Sequence, residues 1–346
     1  MAMNLDRPRV RAPEFPEAIW INALTPPALA ALRGRVALIH LWSFTDPICL
    51  RPLPYLRTWH ERYSEIGVEF IGIHVPVFRF AKDRSLVQSA AGRLGVRWPV
   101  MLDPEARFLA TLGLPVRPVL VLVDPEGFVR QTWSGRFPIV DVERELQTLL
   151  RERDGRTNLP DPLRPIRPED REGAALLPAT RDLGANDLGN PFPPSLVPTI
   201  LEAPAAHDDG RFYLEGLWNR AGEGFSLAGE HGRAHLQYRG ATVSAVLSST
   251  PDPLAFALSR IDPVEVQLTQ DDQTPPKDHF AEDTYLAGDQ ACVRVDVPRL
   301  YRLVHNPDGR PHELRLEARG PGLTLYAFSF DPPLAPDAGL HVPIPE

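Results

Sequence analysis

The sequence predicts two domains of different class, an α/β layered domain over residues 17–150 and an all-β sandwich of jelly-roll type over 209–331. Three observations carry this reading. The first region alternates short buried apolar runs with helical apolar stripes. The last region is built of short alternating strands with turns about every ten residues. Between them, residues 151–208 hold ten prolines and little periodicity. A chain of 346 residues fits two domains at about 150 residues each.

In the first region, Val36–Trp42 is a near-continuous apolar run, as expected of a strand buried on both faces. Pro52, Leu56, Trp59, Tyr63 and Ile66 follow at spacings of four and three, one stripe of a helix that Gly67 stops. Val68–Val75 reads as a strand, Ser85–Leu94 as a helix and Val119–Val123 as a third buried strand. Asp124-Pro125-Glu126-Gly127 turns the chain into Phe128–Trp133, and Val140–Leu150 closes the domain as a helix. Strand, helix, strand, hairpin and helix make an α/β layer on a mixed sheet. The proline-rich stretch reads as an extended, semi-rigid linker that wraps over a domain. In the last region, Asn306-Pro307-Asp308-Gly309 and Gly320-Pro321-Gly322 separate the strands Leu300–His305, Glu313–Ala318 and Leu323–Phe330. Tyr326, Phe328 and Phe330 alternate with Ala327 and Ser329, giving an expected aromatic inner face. Residues 1–16 form an N-terminal extension and 332–346 a proline-rich tail.

Composition narrows the function. Of 346 residues 39 are proline, about double the usual 5%, which argues for turns and short strands. The net charge of −8 disfavours nucleic acid or an anionic membrane as partner, because phosphate binding needs clustered Lys and Arg. Met1–Phe15 lacks an apolar signal core, and Val36–Trp42 is far shorter than the roughly 20 residues of a membrane helix. A soluble, cytoplasmic protein is the expectation. Two cysteines, Cys49 and Cys292, leave no disulfide scaffold and no Cys-rich zinc module.

The segment between the first strand and the first helix, Leu41-Trp42-Ser43-Phe44-Thr45-Asp46-Pro47-Ile48-Cys49-Leu50-Arg51-Pro52-Leu53-Pro54-Tyr55-Leu56, carries the chemistry. It resembles the thioredoxin-like superfamily, specifically the redoxin (AhpC/TSA-like) domains of DipZ-type proteins, in which Cys-x-x-Cys-Leu-Arg precedes Leu-Pro-Tyr-Leu. Pro54, Gly72-Ile73-His74 and Arg117-Pro118 fit the same pattern, and Arg299–Leu303 with Leu325–Phe328 resemble the tail domain of those proteins. The resemblance implies that Pro118 is the family's cis-proline, lying against the active-site loop. It implies thiol–disulfide chemistry on a protein or peptide partner.

One position departs. Cys49 stands at the second cysteine position, whereas the first, nucleophilic one holds Asp46. A carboxylate neither attacks sulfur nor favours a nearby thiolate. Asp46-Pro47 instead reads as a helix start, with an N-cap and a proline in the first turn. The expected function is a degenerate redoxin module for binding or scaffolding, without dithiol turnover. Trp42, Cys49, Arg117 and Pro118 would line the ancestral groove. The second reading is a single-thiol oxidoreductase or peroxidase, with Cys49 as the thiol and Thr45 and Arg117 as its polar partners. The third is carbohydrate binding through exposed aromatics of the β domain, for which Tyr213, Trp218, Tyr238 and Tyr285 are candidates. No cofactor or metal is expected. His231 and His235 lie four apart in strand context, about 13 Å along the chain direction. The acidic loop Asp271-Asp272 to Glu282-Asp283 lacks calcium-loop spacing.

Overall fold

The computed structural model describes residues 10–113, 119–155, 158–193, 197–250, 261–306 and 308–335. In the N-terminal unit six strands form one sheet: β1 (Trp20–Ile21), β2 (Val36–Trp42), β3 (Val68–His74), β4 (Val100–Leu102), β5 (Val119–Val123) and β6 (Val129–Ser134). Their order is β1-β4-β3-β2-β5-β6. β2, β3 and β4 run parallel, while β5 and β6 return antiparallel. All seven residues of β2 are buried, as a central strand covered on both faces requires. Five helices flank the sheet: α1 (Pro47–Leu50), α2 (Leu53–Tyr63), α3 (Arg84–Arg93), α4 (Arg107–Thr111) and α5 (Ile139–Asp154).

Local chemistry sets the element ends. Gly67, at φ +99°, ends the turn after α2, and the Arg153 guanidinium donates to the carbonyls of Ile66 and Gly67. A side chain at 67 would collide with that guanidinium as well as adopt a left-handed backbone. Asp124 accepts from the backbone N–H groups of Glu126 and Phe128, closing the hairpin between β5 and β6. The N-terminal segment joins this domain: Ala12 donates to the Gly127 carbonyl and Val129 to that of Val10.

Within α5 the expected apolar stripe Val142, Leu146, Leu149 and Leu150 is buried, but so are Glu143 and Gln147. Their partners explain the burial. The Tyr63 hydroxyl donates to Glu143 Oε1 at 2.6 Å, and Leu163 N–H donates to Oε2 at 2.6 Å. Gln147 donates to the Tyr63 hydroxyl and to the Pro160 carbonyl, and Ile166 N–H donates to the Tyr55 hydroxyl. Residues 158–166 are thereby strapped to the N-terminal unit, which extends to Ile166. A backbone without N–H groups at its prolines is held by side chains, not by a ladder.

The C-terminal unit begins at Arg167 and is all β. Its strands are β7 (Leu183–Gly184), β8 (Thr199–Leu201), β9 (Phe212–Ala221), β10 (Gly224–Arg239), β11 (Thr242–Ser248), β12 (Val264–Gln270), β13 (Thr284–Ala287), β14 (Gln290–Val295), β15 (Arg299–His305), β16 (Pro311–Arg319) and β17 (Thr324–Asp331). β7 and β8 come from the proline-rich stretch and pair with β17 and β9. The domain is all β, as expected. The strands make one sheet along β13-β14-β12-β16-β10-β17-β11-β15, and it is nearly closed. Phe280 bridges Val304 across the gap, and Thr284 Oγ1 donates to the Leu303 carbonyl. The sixteen-residue β10 pairs with β17 at its start and β16 at its end, across a bulge between Leu227 and Gly232. Such irregularities bend and coil a sheet toward closure. Opposite the bulge, Gly216 holds φ +107°, and a Cβ there would press on the His231 carbonyl.

A second irregularity, between Val246 and Leu247 on β11, shifts the register against β17. Leu325, Phe328 and Phe330 consequently face the core, and Tyr326 leaves the expected aromatic row. No helix among the described residues is long and apolar enough to cross a membrane.

Replacing Glu143 by Leu should strand the buried Tyr63 hydroxyl and Leu163 N–H, at a cost of about 1–3 kcal/mol. Urea denaturation should show the loss, and a broad-specificity protease should cut within 158–166 faster than in the wild type. Unchanged stability and cleavage would mean that the carboxylate does not hold the strap.

Candidate functional site

At residue 42 the buried strand β2 ends and α1 must start within five residues. Asp46 makes the transition: its Oδ1 accepts from Ile48 N–H at 3.0 Å and, more weakly, from Cys49 N–H at 3.5 Å. Pro47 opens the helix, where its missing N–H costs nothing. The helix lasts one turn. Pro52 and Pro54 interrupt the hydrogen-bond ladder, and α2 restarts at Leu53.

The sequence-selected residues fall as follows. Cys49 lies in α1 with no exposed surface, and neither it nor Cys292 forms a disulfide. Asp46 is half-buried at the loop tip. Thr45 is buried, its hydroxyl 2.9 Å from that of Ser43. Trp42 is fully buried. Arg117 and Pro118 lie outside the described residues. The structure therefore brings Trp42, Thr45, Asp46, Pro47 and Cys49 to one strand end, and the Arg117-Pro118 contribution stays an expectation.

Below this loop the sheet carries a polar seam that the sequence reading missed. The parallel register sets His40 beside Gly72 and Trp42 beside His74, all on one face. His40 stacks on Trp42 with centroids 6.2 Å apart, Trp42 meets His74 edge-on at 5.5 Å, and His74 stacks on Phe44 at 5.3 Å. Gly72 is required here, since a Cβ would sit 3.2 Å from Trp42 Nε1 and 3.3 Å from Trp98 Nε1. Both nitrogens of His40 and the indole nitrogens of Trp42 and Trp59 lack hydrogen-bond partners. Burial alone drives the His40 pKa down to about 3, so the ring is neutral at physiological pH. The available signal was the period-two spacing of His40 and Trp42 in an otherwise apolar run.

At the β1–β4 side of the same sheet, a cleft of about 300 Å³ opens. Lys82, Arg84, Asp103, Glu105 and Arg107 contribute to its wall. Lys82 and Glu105 pair across it at 2.7 Å. Asp103 is spent structurally, capping α4 through the N–H groups of Arg107 and Phe108.

In the β domain, Tyr213, Trp218 and Tyr238 are buried, so three of the four aromatics considered as sugar platforms are not platforms. Tyr238 donates to Gln270 and accepts from Asn306 inside the barrel. Tyr285 is exposed but gives its hydroxyl to Glu265 at 2.7 Å.

Residues 10–149 match the redoxin family model, and residues 197–331 match the model described as a thioredoxin like C-terminal domain. Protein DipZ of Mycobacterium tuberculosis (strain CDC 1551 / Oshkosh) is 28% identical over 246 residues, covering 67% of this chain and 34% of that protein. The alignment is longer than either matched domain and so reaches into both. The chain spans about a third of the DipZ length. Thiol-disulfide oxidoreductase ResA of Geobacillus kaustophilus (strain HTA426) is 26% identical over 121 residues, 35% of this chain and 67% of that one. Among solved structures, the crystal structure of the thioredoxin-like superfamily protein SPOA0173 shares 26% identity and covers 41% of this chain and 96% of its own, with a TM-score of 0.39. The N-terminal domain is a thioredoxin-like redoxin domain, and the C-terminal domain is an all-β domain of the thioredoxin like C-terminal type.

The His40 imidazole excludes a proton in the folded state that it accepts in the unfolded chain near pH 6.5. Stability should therefore fall as pH drops from 6.5 toward 3, by about 1.4 kcal/mol per unit once well below the upper value. His40→Leu should remove this slope and leave the protein at least as stable near pH 7.5, because two partnerless buried nitrogens are lost. Denaturant midpoints measured between pH 7.5 and 4 check it; parallel curves for the two proteins would sink it.

Proposed function

We propose that this thioredoxin-like redoxin domain binds a protein or peptide partner and has given up dithiol exchange. The observation that carries the proposal is the pairing of two facts at one helix start. Residue 46, which the family resemblance would assign to the attacking sulfur, is a carboxylate engaged with the Ile48 N–H, and the thiol of Cys49 has no exposed surface. Exchange needs an accessible thiolate to attack and a second thiol to resolve the mixed disulfide. Asp46 supplies no attack, and a thiol with no exposed surface cannot reach a substrate disulfide.

The single-thiol peroxidase reading has less support. It needs peroxide to reach Cys49 Sγ, and it needs Thr45 turned toward that sulfur instead of toward Ser43. The sugar-binding reading loses its platforms to the core. ResA is named a thiol-disulfide oxidoreductase, which favours a protein or peptide as the partner of a fold of this type. The cleft at the β1–β4 side of the domain, with both signs of charge in its wall, offers a surface for such a partner.

Two measurements test the proposal. The native protein should label with a thiol reagent at neither cysteine, and at both after denaturation, and it should not reduce insulin disulfides with dithiothreitol above background. A fast native thiol that disappears in Cys49→Ser, together with turnover, would restore the enzymatic reading.

Asp46→Cys should then reverse the loss. The substitution places a half-exposed sulfur at the start of α1, three residues before Cys49, in a Cys-Pro-Ile-Cys segment. Loss of the cap should cost about 1 kcal/mol, which a domain of this size can absorb. The new thiol should titrate below the free value of about 8.5, form a disulfide with Cys49 on mild oxidation, and give measurable insulin reduction. A folded variant that keeps both thiols reduced and stays inactive would show that the groove differs by more than residue 46.

A further inference from the structure

On the outer surface of the β domain, three adjacent strands and the segment preceding them bring two histidines and a carboxylate together. His235 is on β10, Glu313 is on β16 diagonally across the register, and Glu215 is on β9 on the other side. Residues 234, 236 and 238 of β10 point into the barrel core. His235 therefore points outward, yet its side chain is only 10% exposed, because the segment before β9 lays His207 over it. A bridge between Asp209 and Gln237 fixes that segment to β10. The two imidazole rings stand 5.0 Å apart, and His207 also packs on Tyr213 at 4.9 Å.

The nitrogens and oxygens converge. His207 Nδ1 is 3.1 Å from Glu313 Oε1, and His235 Nδ1 is 4.0 Å from the same oxygen. One donor atom from each of the three residues lies within 4.8 Å of the others. Donors bound at about 2.0–2.2 Å to a tetrahedral ion stand roughly 3.4 Å apart, so modest side-chain rotation closes the set. On its far side, His235 Nε2 faces Glu215 Oε2 at 3.4 Å. Arg233 holds that carboxylate at 2.9 Å and holds Glu317 as well. His235 Nε2 has no hydrogen-bond partner among the described residues; a small approach of Glu215 would let it accept from that nitrogen, fix the tautomer and leave the other nitrogen's lone pair for a metal. The His207 side chain is 7% exposed and its Nε2 has no hydrogen-bond partner. Arg315, the nearest cation on β16, is engaged with Asp272 at 3.1 Å.

We propose that His207, His235 and Glu313 form a binding site for one divalent transition-metal ion, zinc by donor type, with Glu215 orienting His235 from behind. Two imidazoles and a carboxylate suit a borderline ion better than the all-oxygen sets that calcium and magnesium take. Glu313 is half-exposed, so the remaining coordination position opens to solvent. The site is independent of the redoxin loop and of the function proposed for it. It ties the loop before β9 to the barrel wall.

The test uses the full chain, stripped with a chelator and titrated with zinc against a chromophoric competitor. One equivalent should bind. His207→Gln, His235→Gln and Glu313→Gln should each weaken binding at least tenfold, and Glu215→Gln about tenfold or more. Cobalt(II) should give a ligand-field spectrum without the charge-transfer band of thiolate ligation, and Glu215→Gln should shift that spectrum. His207 lies outside the strands, so its variant reports on the site even where strand variants fold poorly. No bound equivalent, affinity unchanged in His207→Gln, or a thiolate band from Cys49 or Cys292 would each overturn the proposal.

Discussion

The bond between the Asp46 carboxylate and the backbone of α1 is what the candidate site depends on. β2 is buried throughout and delivers the chain to the sheet's carboxyl end with no spare length. Something has to satisfy the first N–H groups of the helix within five residues. Here the Asp46 carboxylate takes them, accepting from Ile48 N–H and, more weakly, from Cys49 N–H. On the function proposed above, a cap and a nucleophile would compete for one set of donors, and the residue at 46 would decide which is present.

Much of this was legible in the sequence because the signals are local and periodic. Val36–Trp42 and Val119–Val123 are strands to the residue, since an apolar run bounded by Gly and charge has one interpretation. Asp46-Pro47 as cap and first helical residue was equally readable. The proline-rich stretch was not. Its residues are held by single bonds to distant side chains, Leu163 by Glu143 and Ile166 by Tyr55, and no spacing announces them. Its later part contributes short strands to the barrel, which only the partners β9 and β17 define.

The β domain shows the limit of alternation as a guide. Period two sorts inward from outward only while the register is unbroken. The irregularities near Leu227, Val243 and Val246 each reset it, and a bulge leaves no mark in a single sequence beyond a tolerated glycine. The strands join in one nearly closed sheet, and Tyr213, Trp218 and Tyr238 went from platforms to packing. The same blindness hid the pairing of His207 with His235, residues brought together by a loop that lies over a strand and not by any repeat.

The polar seam beneath the loop adds a constraint that capping alone does not. Buried imidazole and indole nitrogens without partners cost roughly 1–3 kcal/mol each, yet His40, Trp42 and Trp59 all carry them. Aromatic faces recover a part of this, since Trp42 meets His74 edge-on at 85°, a geometry in which a ring edge meets the negative π-face. The rest is a standing cost at the strand end that positions residues 43–49. A wholly apolar seam would have supported α1 as well and more stably. What the histidine seam adds is sensitivity to protons beneath the strand end, because burial disfavours the charged form of His40. The loop that carries Asp46 and Cys49 is thus fixed from above by a carboxylate bond and from below by an imidazole that stays neutral.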